Sequence, residues 1–401
     1  MVCHPEDVNI AGKIFLKRER DGPVRGGNPW IFSQAIARIE PENIERGSAV
    51  EVRDAGGDLL GYGYYNAATT IAIRMLSFGG ALKADDIIQH RLRNALNLRR
   101  RVIRGDTNCY RLVNGDGDGL SGIVVDRYGD IFVVQLLTAG AERMRAEIVA
   151  ALQELLTPRA IIERSVGAVR RQEGLDDRTA VLAGEPVNET VVTENGIKLI
   201  VDFEHGQKTG FFIDQRLNRV IVRELAQDAR VLDAYCYTGG FTLAALAGGA
   251  RHVVAVDTSA RALALARRNL ELNGHASDAV ELVHSEAAQY LADGGKRFDI
   301  VVLDPPPLAR SLKDVAHAAR LYTELNAIAM RAVAPGGYLM TFSCSVHFRG
   351  DDFVRAVRIA QGKAGRNLRV IGHPGAGPDH PVLLGHAEGE YLTGLLLADL
   401  G

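Results

Sequence analysis

The chain has 401 residues, of which 47% are hydrophobic, and its formal net charge is −2, so two or three domains with cores of their own are expected. No apolar run approaches the ~20 residues that span a bilayer, and the first residues lack the apolar segment of a signal peptide. We therefore expect a cytoplasmic protein with no membrane partner.

The four cysteines are Cys3, Cys109, Cys236 and Cys344. They form no CxxC pair and have no metal-ligand spacing, which argues against a disulfide framework and against a metal site. Each thiol must therefore be judged from its own surroundings.

Residues 1–78 are predicted to form a β-rich module of short strands broken by turns. The predicted strands are Ser48–Arg53, Leu59–Tyr65 and Thr70–Leu76. Residues 79–195 are predicted to form a small α+β domain. Its predicted elements are a helix at Asp85–Arg104, a hairpin of Gly122–Asp126 and Ile131–Leu137 joined by Arg127-Tyr128-Gly129-Asp130, a helix at Ala141–Leu156 and a strand at Ala160–Arg164.

Basic residues are concentrated in two places despite the nearly neutral total. They are Lys13, Lys17, Arg18, Arg20 and Arg25 near the N-terminus, and Arg91, Arg93, Arg99, Arg100, Arg101 and Arg104 on the predicted helix. Such stripes can bind phosphate, although a solvated helix face explains them equally well.

Residues 196–401 alternate strands and helices, which is typical of a parallel sheet covered by helices on both faces. The predicted strands are Val231–Ala234, His252–Asp257, Val280–His284, Phe298–Asp304 and Gly337–Ser343, and the clearest helices are Ala260–Asn273 and Val315–Val333. The predicted fold class is α/β, with a Rossmann-like domain at the C-terminal end. Ligands of such sheets bind at the carboxyl ends of the strands.

A cofactor site is predicted at the first three strand ends. The first strand leads into Asp233-Ala234-Tyr235-Cys236-Tyr237-Thr238-Gly239-Gly240, whose glycines allow close backbone approach but lack the GxGxxG pattern of dinucleotide sites. Asp257, with Ser259 beyond it, ends the second strand and suits a ribose diol, and Glu286 follows the third strand and suits an adenine amine. A nucleoside without pyrophosphate fits this pattern, which favours S-adenosyl-L-methionine. Alternatively, Asp233 caps a turn and Asp257 caps a helix.

A reaction site is predicted at the next two strand ends, which carry Asp304-Pro305-Pro306-Pro307 and Ser343-Cys344-Ser345. In the usual doubly wound order, strands one, four and five are neighbours, which brings Asp304 and Cys344 together. A thiolate that adds to C6 of cytosine makes C5 nucleophilic, and a carboxyl group at N3 stabilises the charge that develops. We therefore predict that Cys344 is the nucleophile and that Asp304 assists it, beside the cofactor. A buried structural thiol is the alternative for Cys344, and Cys236 is the competing nucleophile.

At these residues the sequence resembles the cytosine-5 methyltransferases of large-subunit (23S) ribosomal RNA, over nearly the whole chain. The segments that carry the resemblance are Asn28-Pro29-Trp30-Ile31-Phe32-Ser33, Asp116-Gly117-Asp118-Gly119-Leu120-Ser121-Gly122, His205-Gly206-Gln207-Lys208-Thr209-Gly210-Phe211-Phe212-Ile213-Asp214-Gln215-Arg216, Ser343-Cys344-Ser345, Asp379-His380-Pro381-Val382 and Glu388-Gly389-Glu390-Tyr391-Leu392.

The resemblance implies an RNA-binding PUA domain at the N-terminus, a central α+β domain and a class I methyltransferase domain that uses S-adenosyl-L-methionine. It also implies that Phe212, Gln215 and Arg216 contact the cofactor, with Arg216 suited to its carboxylate. Ribosomal RNA is the expected partner. A homodimer is left open, because the β-rich module suits a contact with RNA or with a second copy.

The chain departs from the family at Pro307-Leu308, where the family commonly has a lysine and an aromatic residue. Three other functions fit parts of the pattern less well. A guanine methyltransferase also uses an Asp-Pro-Pro motif but needs no thiol. A non-catalytic RNA-binding assembly factor does not need the intact cofactor loop, and an NAD-dependent oxidoreductase lacks its phosphate fingerprint here.

Overall fold

The computed structural model describes residues 10–79, 87–275, 278–292, 295, 297–309 and 311–401. Cys3 and the first two residues of the predicted helix Asp85–Arg104 lie outside the described residues. The chain folds into two compact units. The first contains the described residues up to Thr190 with Val201–Ile213 and Pro378–Gly389, and the second contains Val191–Ile200, Asp214–Gly377 and Glu390–Gly401.

The first unit begins with a six-stranded sheet in the order β2-β6-β5-β4-β1-β3. Its elements are β1 (Gly12–Leu16), the short helix α1 (Gly22–Arg25), β2 (Trp30–Phe32), β3 (Ile36–Glu40), β4 (Ala49–Arg53), β5 (Leu59–Tyr65) and β6 (Ile71–Phe78). Alternate residues such as Val50 and Val52 are buried, because successive side chains of a strand point to opposite faces. The three predicted strands are confirmed within one or two residues, whereas β1 to β3 were not predicted.

A second sheet of the same unit has the order β11-β10-β9-β8-β7. Its elements are α2 (Ile87–Val102), β7 (Cys109–Asn114), β8 (Ile123–Tyr128), β9 (Ile131–Leu136), α3 (Ala139–Arg143), α4 (Arg145–Leu156), β10 (Ala160–Ser165), α5 (Ala168–Gln172) and β11 (Arg178–Gly184). Leu92 and Leu96 of α2 pack with Phe132 and Leu152 in its core. This spacing of four residues places both leucines on one helix face.

The predicted helix Ala141–Leu156 is wrong in one respect, because it is two helices that meet at Met144. Gly140 lies against the ring of Tyr64, so closely that a Cβ would lie 2.1 Å from the ring carbons. Thr138 caps the first short helix through the backbone N–H of Ala141. The first short helix thus packs at Gly140 against a residue 76 positions earlier in the chain.

The interpretation of the arginines on α2 as one phosphate-binding stripe is wrong for Arg99. Its side chain is fully buried, and its guanidinium donates to both carboxylate oxygens of Asp118, at 2.5 and 2.7 Å, and to the backbone oxygen of Asp379. Arg91 is half-buried and donates to the backbone oxygen of Leu76, and burial lowers its pKa. The exposed members are Arg93, Arg100, Arg101 and Arg104.

The hairpin of β12 (Glu189–Glu194) and β13 (Ile197–Asp202) forms a two-stranded sheet, and seven more strands form the main sheet of the second unit. The strands of this main sheet are β14 (Arg230–Ala234), β15 (His252–Asp257), β16 (Val280–His284), β17 (Phe298–Leu303), β18 (Val333–Ser343), β19 (Leu368–Gly372) and β20 (Thr393–Asp399). Its helices are α6 (Arg216–Leu225), α7 (Gly240–Ala247), α8 (Ala260–Leu272), α9 (Ala287–Ala292), α10 (Val315–Ala332) and α11 (Asp351–Ala364).

The order of this sheet is β16-β15-β14-β17-β18-β20-β19, and β14 to β18 run parallel. The predicted neighbours β14, β17 and β18 are therefore confirmed. Val231, Leu232 and Val301 are fully buried, as expected for strands covered on both faces. The carboxyl ends of the five parallel strands form one edge, which positions the site described next.

Across the described ranges, no helix has both the length and the hydropathy that crossing a membrane would require.

Candidate active site

The loop after β14 has an unusual backbone. Tyr235, Tyr237 and Gly239 all adopt positive φ angles, of 68°, 49° and 82°. This region is uncommon for residues with a Cβ and costs of order 1–3 kcal/mol for each one. The loop is held by the backbone oxygen of Val256, which accepts from the N–H groups of Tyr235 and Cys236. Such strain is typical of loops that bring their backbone against a ligand.

Asp233 is buried at the end of β14 and supports this loop. Its Oδ2 accepts from the backbone N–H of Thr242 at 2.9 Å and from the Thr242 hydroxyl at 2.7 Å, which fixes the start of α7. Burial raises the pKa of Asp233 to about 6, although the bonds from Thr242 oppose that rise. The alternative that Asp233 caps a turn is therefore not what its Oδ2 does, because that oxygen is bound by Thr242 of α7.

Two buried oxygen atoms near this loop have no hydrogen-bond partner among the described residues: Oδ1 of Asp233 and Oγ1 of Thr238. A buried polar atom without a partner carries a free-energy penalty, so a ligand that bonds to such atoms gains affinity. These atoms fit a polar cofactor at the carboxyl edge of the sheet.

Asp257 ends β15 and is bound through both oxygens. Oδ2 accepts from the backbone N–H of Tyr237 at 2.9 Å, and Oδ1 accepts from the N–H of Ser259 at 2.8 Å. Each carboxylate oxygen has a second lone pair, so the group can still accept from a ribose diol. Ser259 caps α8, because its hydroxyl oxygen accepts from the N–H of Ala262.

Glu286 is exposed in the segment after β16, and Tyr235 is half-buried. Burial raises the pKa of Tyr235 to about 12, and the carboxylates of Glu286 and Asp257 contribute further to the rise. The phenol of Tyr235 is therefore neutral near pH 7 and lies near two carboxylates. These three side chains are the polar groups expected around a nucleoside.

Gln215 and Arg216 are both buried at the start of α6. Gln215 donates through Nε2 to Oδ2 of Asp304 at 2.9 Å. Phe212 belongs to the first unit, where it is half-buried with the ammonium of Lys208 4.6 Å from its ring centroid. The cofactor contacts of Phe212 and Arg216 stay predictions.

Cys344 follows β18 in a turn that the two flanking serines hold. Cys344 is partly exposed, whereas Ser343 and Ser345 are fully buried. The Ser343 hydroxyl donates to the backbone oxygen of Phe348 at 2.7 Å, and its oxygen lies at hydrogen-bond distance, 3.0 Å, from the hydroxyl of Tyr322. The two serine side chains thus face the protein interior, whereas Cys344 between them keeps part of its surface exposed to solvent.

The turn with Cys344 and the loop with Asp304 are joined directly. Sγ of Cys344 lies 3.7 Å from the backbone oxygen of Pro305. The hydroxyl of Ser345 accepts from the N–H groups of Leu308 and Ala309 at 3.0 and 3.2 Å. The residues on the two neighbouring strand ends are therefore close together, as their strand order predicted.

The other described cysteines do not suit nucleophilic chemistry. Cys236 is 5% exposed, and burial raises the pKa of its thiol well above the usual range. The negative charges of Asp233 and Asp257 raise this pKa further. Cys109 is fully buried in the first unit. Because the thiolate is the reactive form, Cys344 is the best candidate among the described thiols.

Several residues that shape the site were not found from the sequence. Tyr322 lies in the middle of α10, where its spacing indicates only a buried helix face. Asn218 donates to Oε1 of Gln215, and the hydroxyl of Tyr391 donates to Oδ2 of Asp214 at 2.7 Å. Tyr391 falls in a segment with a family resemblance, but no local pattern connects it to Asp214, 177 positions away.

Comparisons with known proteins agree with this geometry. Residues 100–355 match the family described as S-adenosylmethionine-dependent methyltransferase, and residues 14–78 match the PUA-like domain. The chain is 39% identical over 388 residues to ribosomal RNA large subunit methyltransferase I of Klebsiella pneumoniae, with 95% of this chain and 97% of that protein covered. It is 38% identical to the Escherichia coli protein of the same name, with 95% and 98% covered.

Solved structures share the fold. A putative methyltransferase from Streptococcus mutans aligns with a TM-score of 0.81 at 22% identity, covering 96% of this chain and 99% of that one. A structure of a putative methyltransferase complexed with SAH aligns with a TM-score of 0.83 at 22% identity and the same coverage. The predicted fold class, a Rossmann-like methyltransferase domain preceded by a PUA domain, is confirmed.

Proposed function

Because the chain belongs to the S-adenosylmethionine-dependent methyltransferase family that includes ribosomal RNA large subunit methyltransferase I, we propose that it methylates C5 of a cytosine in 23S ribosomal RNA. The single observation that supports this choice of atom is the partly exposed thiol of Cys344 beside the Asp304-Pro305 loop. Guanine methylation uses no thiol, so this arrangement favours cytosine.

The cofactor is S-adenosyl-L-methionine, which supplies an electrophilic methyl group on a sulfonium when bound. Asp257 and Glu286 would hold the ribose and the adenine, with the loop of Tyr235, Tyr237, Thr238 and Gly239 against the nucleoside. Phe212 and Arg216 would hold the methionine end, as the family resemblance implies. The buried, unpartnered oxygens of Asp233 and Thr238 support a polar ligand at this edge.

The reaction begins when Cys344, as a thiolate, forms a bond from Sγ to C6 of the cytosine. The electron pair of the C5–C6 double bond becomes available at C5, and Asp304 stabilises the charge that develops on the ring at N3. C5 then forms its bond to the methyl group as the bond from that methyl to the cofactor sulfur breaks.

Release restores the double bond. A base removes the proton from C5, and the Sγ–C6 bond breaks, so Cys344 regains its thiolate. The products are S-adenosylhomocysteine, 5-methylcytidine in the RNA and one proton. The Asp304-Pro305-Pro306-Pro307 loop contains no second cysteine for this step.

The cytosine must leave its stack, because Cys344 cannot otherwise reach C6. The PUA-like module and the exposed arginines Arg93, Arg100, Arg101 and Arg104 would contact phosphates, which position RNA without reading its bases. RNA affinity should therefore fall steeply as salt rises. An affinity that is flat with salt would contradict this part of the proposal.

We also propose that the protein acts in the cytoplasm, where bacterial ribosomal RNA is made and matured. A homodimer formed through the β-rich module is the alternative to an RNA contact on that module. Sedimentation of the full chain with and without RNA tests it, because a dimer contact on that module and an RNA contact there would compete.

The experiment that tests the function uses methyl-tritiated S-adenosylmethionine and unmodified large-subunit ribosomal RNA. We expect the label in 5-methylcytidine with the wild type and with Cys109→Ala, and none with Cys344→Ala. Label in a guanosine, undiminished by Cys344→Ala, would mean that the fold and cofactor are right and that the chemistry is wrong.

A further inference from the structure

Three hydrogen bonds connect the backbone oxygen of Gly375, through the side chains of Asn218 and Gln215, to the carboxylate of Asp304. Nδ2 of Asn218 donates to the backbone oxygen of Gly375 at 3.1 Å and to Oε1 of Gln215 at 2.5 Å. Nε2 of Gln215 then donates to Oδ2 of Asp304 at 2.9 Å. All four residues belong to the second unit, and the side chains of Gln215 and Asn218 are buried.

The direction of this chain follows from its first member. A backbone carbonyl only accepts, so Asn218 must present its NH₂ group to Gly375 and to Gln215. Gln215 must then present its oxygen to Asn218 and its NH₂ group to Asp304. Turning either amide over would place two acceptors together in a buried environment, which costs free energy.

We propose that Gln215 is a positioning residue that orients the carboxyl group of Asp304, with Asn218 fixing the orientation of Gln215. This inference rests on the proposed function, and it gives Gln215 a role other than the cofactor contact that the family resemblance implies. A carboxyl group can interchange its oxygens by rotating about the Cβ–Cγ bond. An N–H donor on Oδ2 stops that rotation and keeps a carboxyl proton on Oδ1, the oxygen that must then meet the base.

The backbone before Gln215 is anchored as well. Tyr391 donates to the carboxylate of Asp214, the residue that precedes Gln215 in a short 3₁₀ turn at Ile213–Gln215. Gln215 is thus held in two places: at its backbone, through the anchored Asp214, and at its side-chain oxygen, through Asn218. Such support is what a group that must orient a reacting residue needs.

The test compares two variants with a control on α6, the helix of Asn218. Gln215→Met keeps an unbranched side chain of similar length and removes the donor, and Asn218→Leu removes the residue that orients Gln215. Leu217→Ala changes an exposed neighbour outside the site. Two quantities are measured for each: the dissociation constant of S-adenosylhomocysteine, and the single-turnover methyl-transfer rate at saturating cofactor.

For Gln215→Met we expect the rate to fall about tenfold or more, with the dissociation constant unchanged within about twofold. Asn218→Leu should lower the rate in the same way, by about three- to tenfold, and Leu217→Ala should change neither quantity. A dissociation constant that rises about tenfold in Gln215→Met, at an unchanged saturated rate, would overturn the proposal and make Gln215 a cofactor contact. An unchanged rate and affinity would overturn it too.

These outcomes are separate from those for the proposed function. If the wild type labels a guanosine, the cytosine assignment fails, but the rate still tests Gln215 because an Asp-Pro-Pro loop faces the base in that chemistry as well. If the wild type transfers no methyl to the RNA, a carbon-13 titration of the Asp304 carboxyl group decides. Its midpoint should move to higher pH in Gln215→Met, since an N–H donor favours the ionised form, and an unmoved midpoint would contradict the proposal.

Discussion

The hydroxyl oxygen of Ser345 accepts a hydrogen bond from the backbone N–H of Leu308 at 3.0 Å. This bond joins the turn after β18 to the loop after β17. Because Cys344 lies on the first and Asp304 on the second, Ser345 sets how the thiol and the carboxyl group are arranged. Ala309 and Tyr322 also bond to this hydroxyl, so it joins the turn after β18 to the loop after β17 and to α10.

Ser345→Ala should therefore weaken both catalysis and folding. We expect the free energy of unfolding to fall by about 1–3 kcal/mol, because buried N–H groups lose their acceptor, and methyl transfer at saturating cofactor to slow about tenfold. Ser311→Ala is the matched control, since the hydroxyl of Ser311 bonds to Asp314 in a capping box. It should cost about 1 kcal/mol without slowing the reaction. An equal rate for the two variants would contradict the role of Ser345.

Asp233→Asn should change how stability depends on pH. The folded pKa of Asp233, about 6, exceeds its ordinary value of 3.8, so the folded protein keeps a proton that the unfolded chain has already lost. Stability should therefore fall as the pH rises from about 4 to 6, by about 3 kcal/mol in total, and this loss should be absent from the variant.

The measurement for Asp233 is urea unfolding of both proteins at about pH 4 and about pH 7. The difference in unfolding free energy between wild type and variant isolates Asp233 from the other titrating groups. A difference that is the same at both values would mean that Asp233 titrates normally in the folded protein.

Asp257→Asn should weaken cofactor binding. The amide cannot accept through both of its terminal atoms, so the variant loses bonds to the loop and to the ribose. We expect the dissociation constant of S-adenosylhomocysteine to rise about 10- to 100-fold, which corresponds to bonds with a charged group of about 1.5–3 kcal/mol. Asp299→Asn, near the amino end of β17, should bind normally. Calorimetric titration with S-adenosylhomocysteine measures the dissociation constant of each variant. Equal values for Asp257→Asn and Asp299→Asn would show that Asp257 does not contact the cofactor.

Arg99→Met should destabilise the first unit. It leaves the nearly buried carboxylate of Asp118 without its partner, which costs about 3–5 kcal/mol. Arg100→Met, the same change at an exposed position of α2, should alter the unfolding free energy by no more than about 0.5 kcal/mol. Chemical unfolding distinguishes them. Equal unfolding free energies for Arg99→Met and Arg100→Met would mean that Arg99 is exposed like its neighbours and available to bind phosphate.

The sequence predicted the five parallel strands of the second unit well, because they are apolar runs that end in polar residues, whereas the antiparallel strands β19 and β20 were not predicted. Strand order followed from the doubly wound pattern, which brought Asp304 and Cys344 to neighbouring strand ends. Strands β1 to β3 were not predicted, since short strands of three to five residues at the N-terminus show little alternation.

The failures share a physical cause. Arg99 looks like its exposed neighbours, and only the long-range position of Asp118 and Asp379 shows that it is buried. The contact from Gln215 to Asp304 spans 89 positions in the chain, and the bond from Asn218 to Gly375 spans 157. Residue types and local spacing do not encode such pairs, whereas the folded structure does.

In the proposed reaction, Cys344 bonds covalently to C6 of cytosine. RNA that carries 5-fluorocytidine tests it most directly, because fluorine at C5 cannot leave as a proton does and the methylated adduct persists. With the wild type and with Cys109→Ala, we predict a protein–RNA complex that survives a denaturing gel. Its methylated form should require S-adenosylmethionine. With Cys344→Ala, the complex should be absent. A complex of undiminished yield with Cys344→Ala, or no complex with a wild type that makes 5-methylcytidine, would contradict the account.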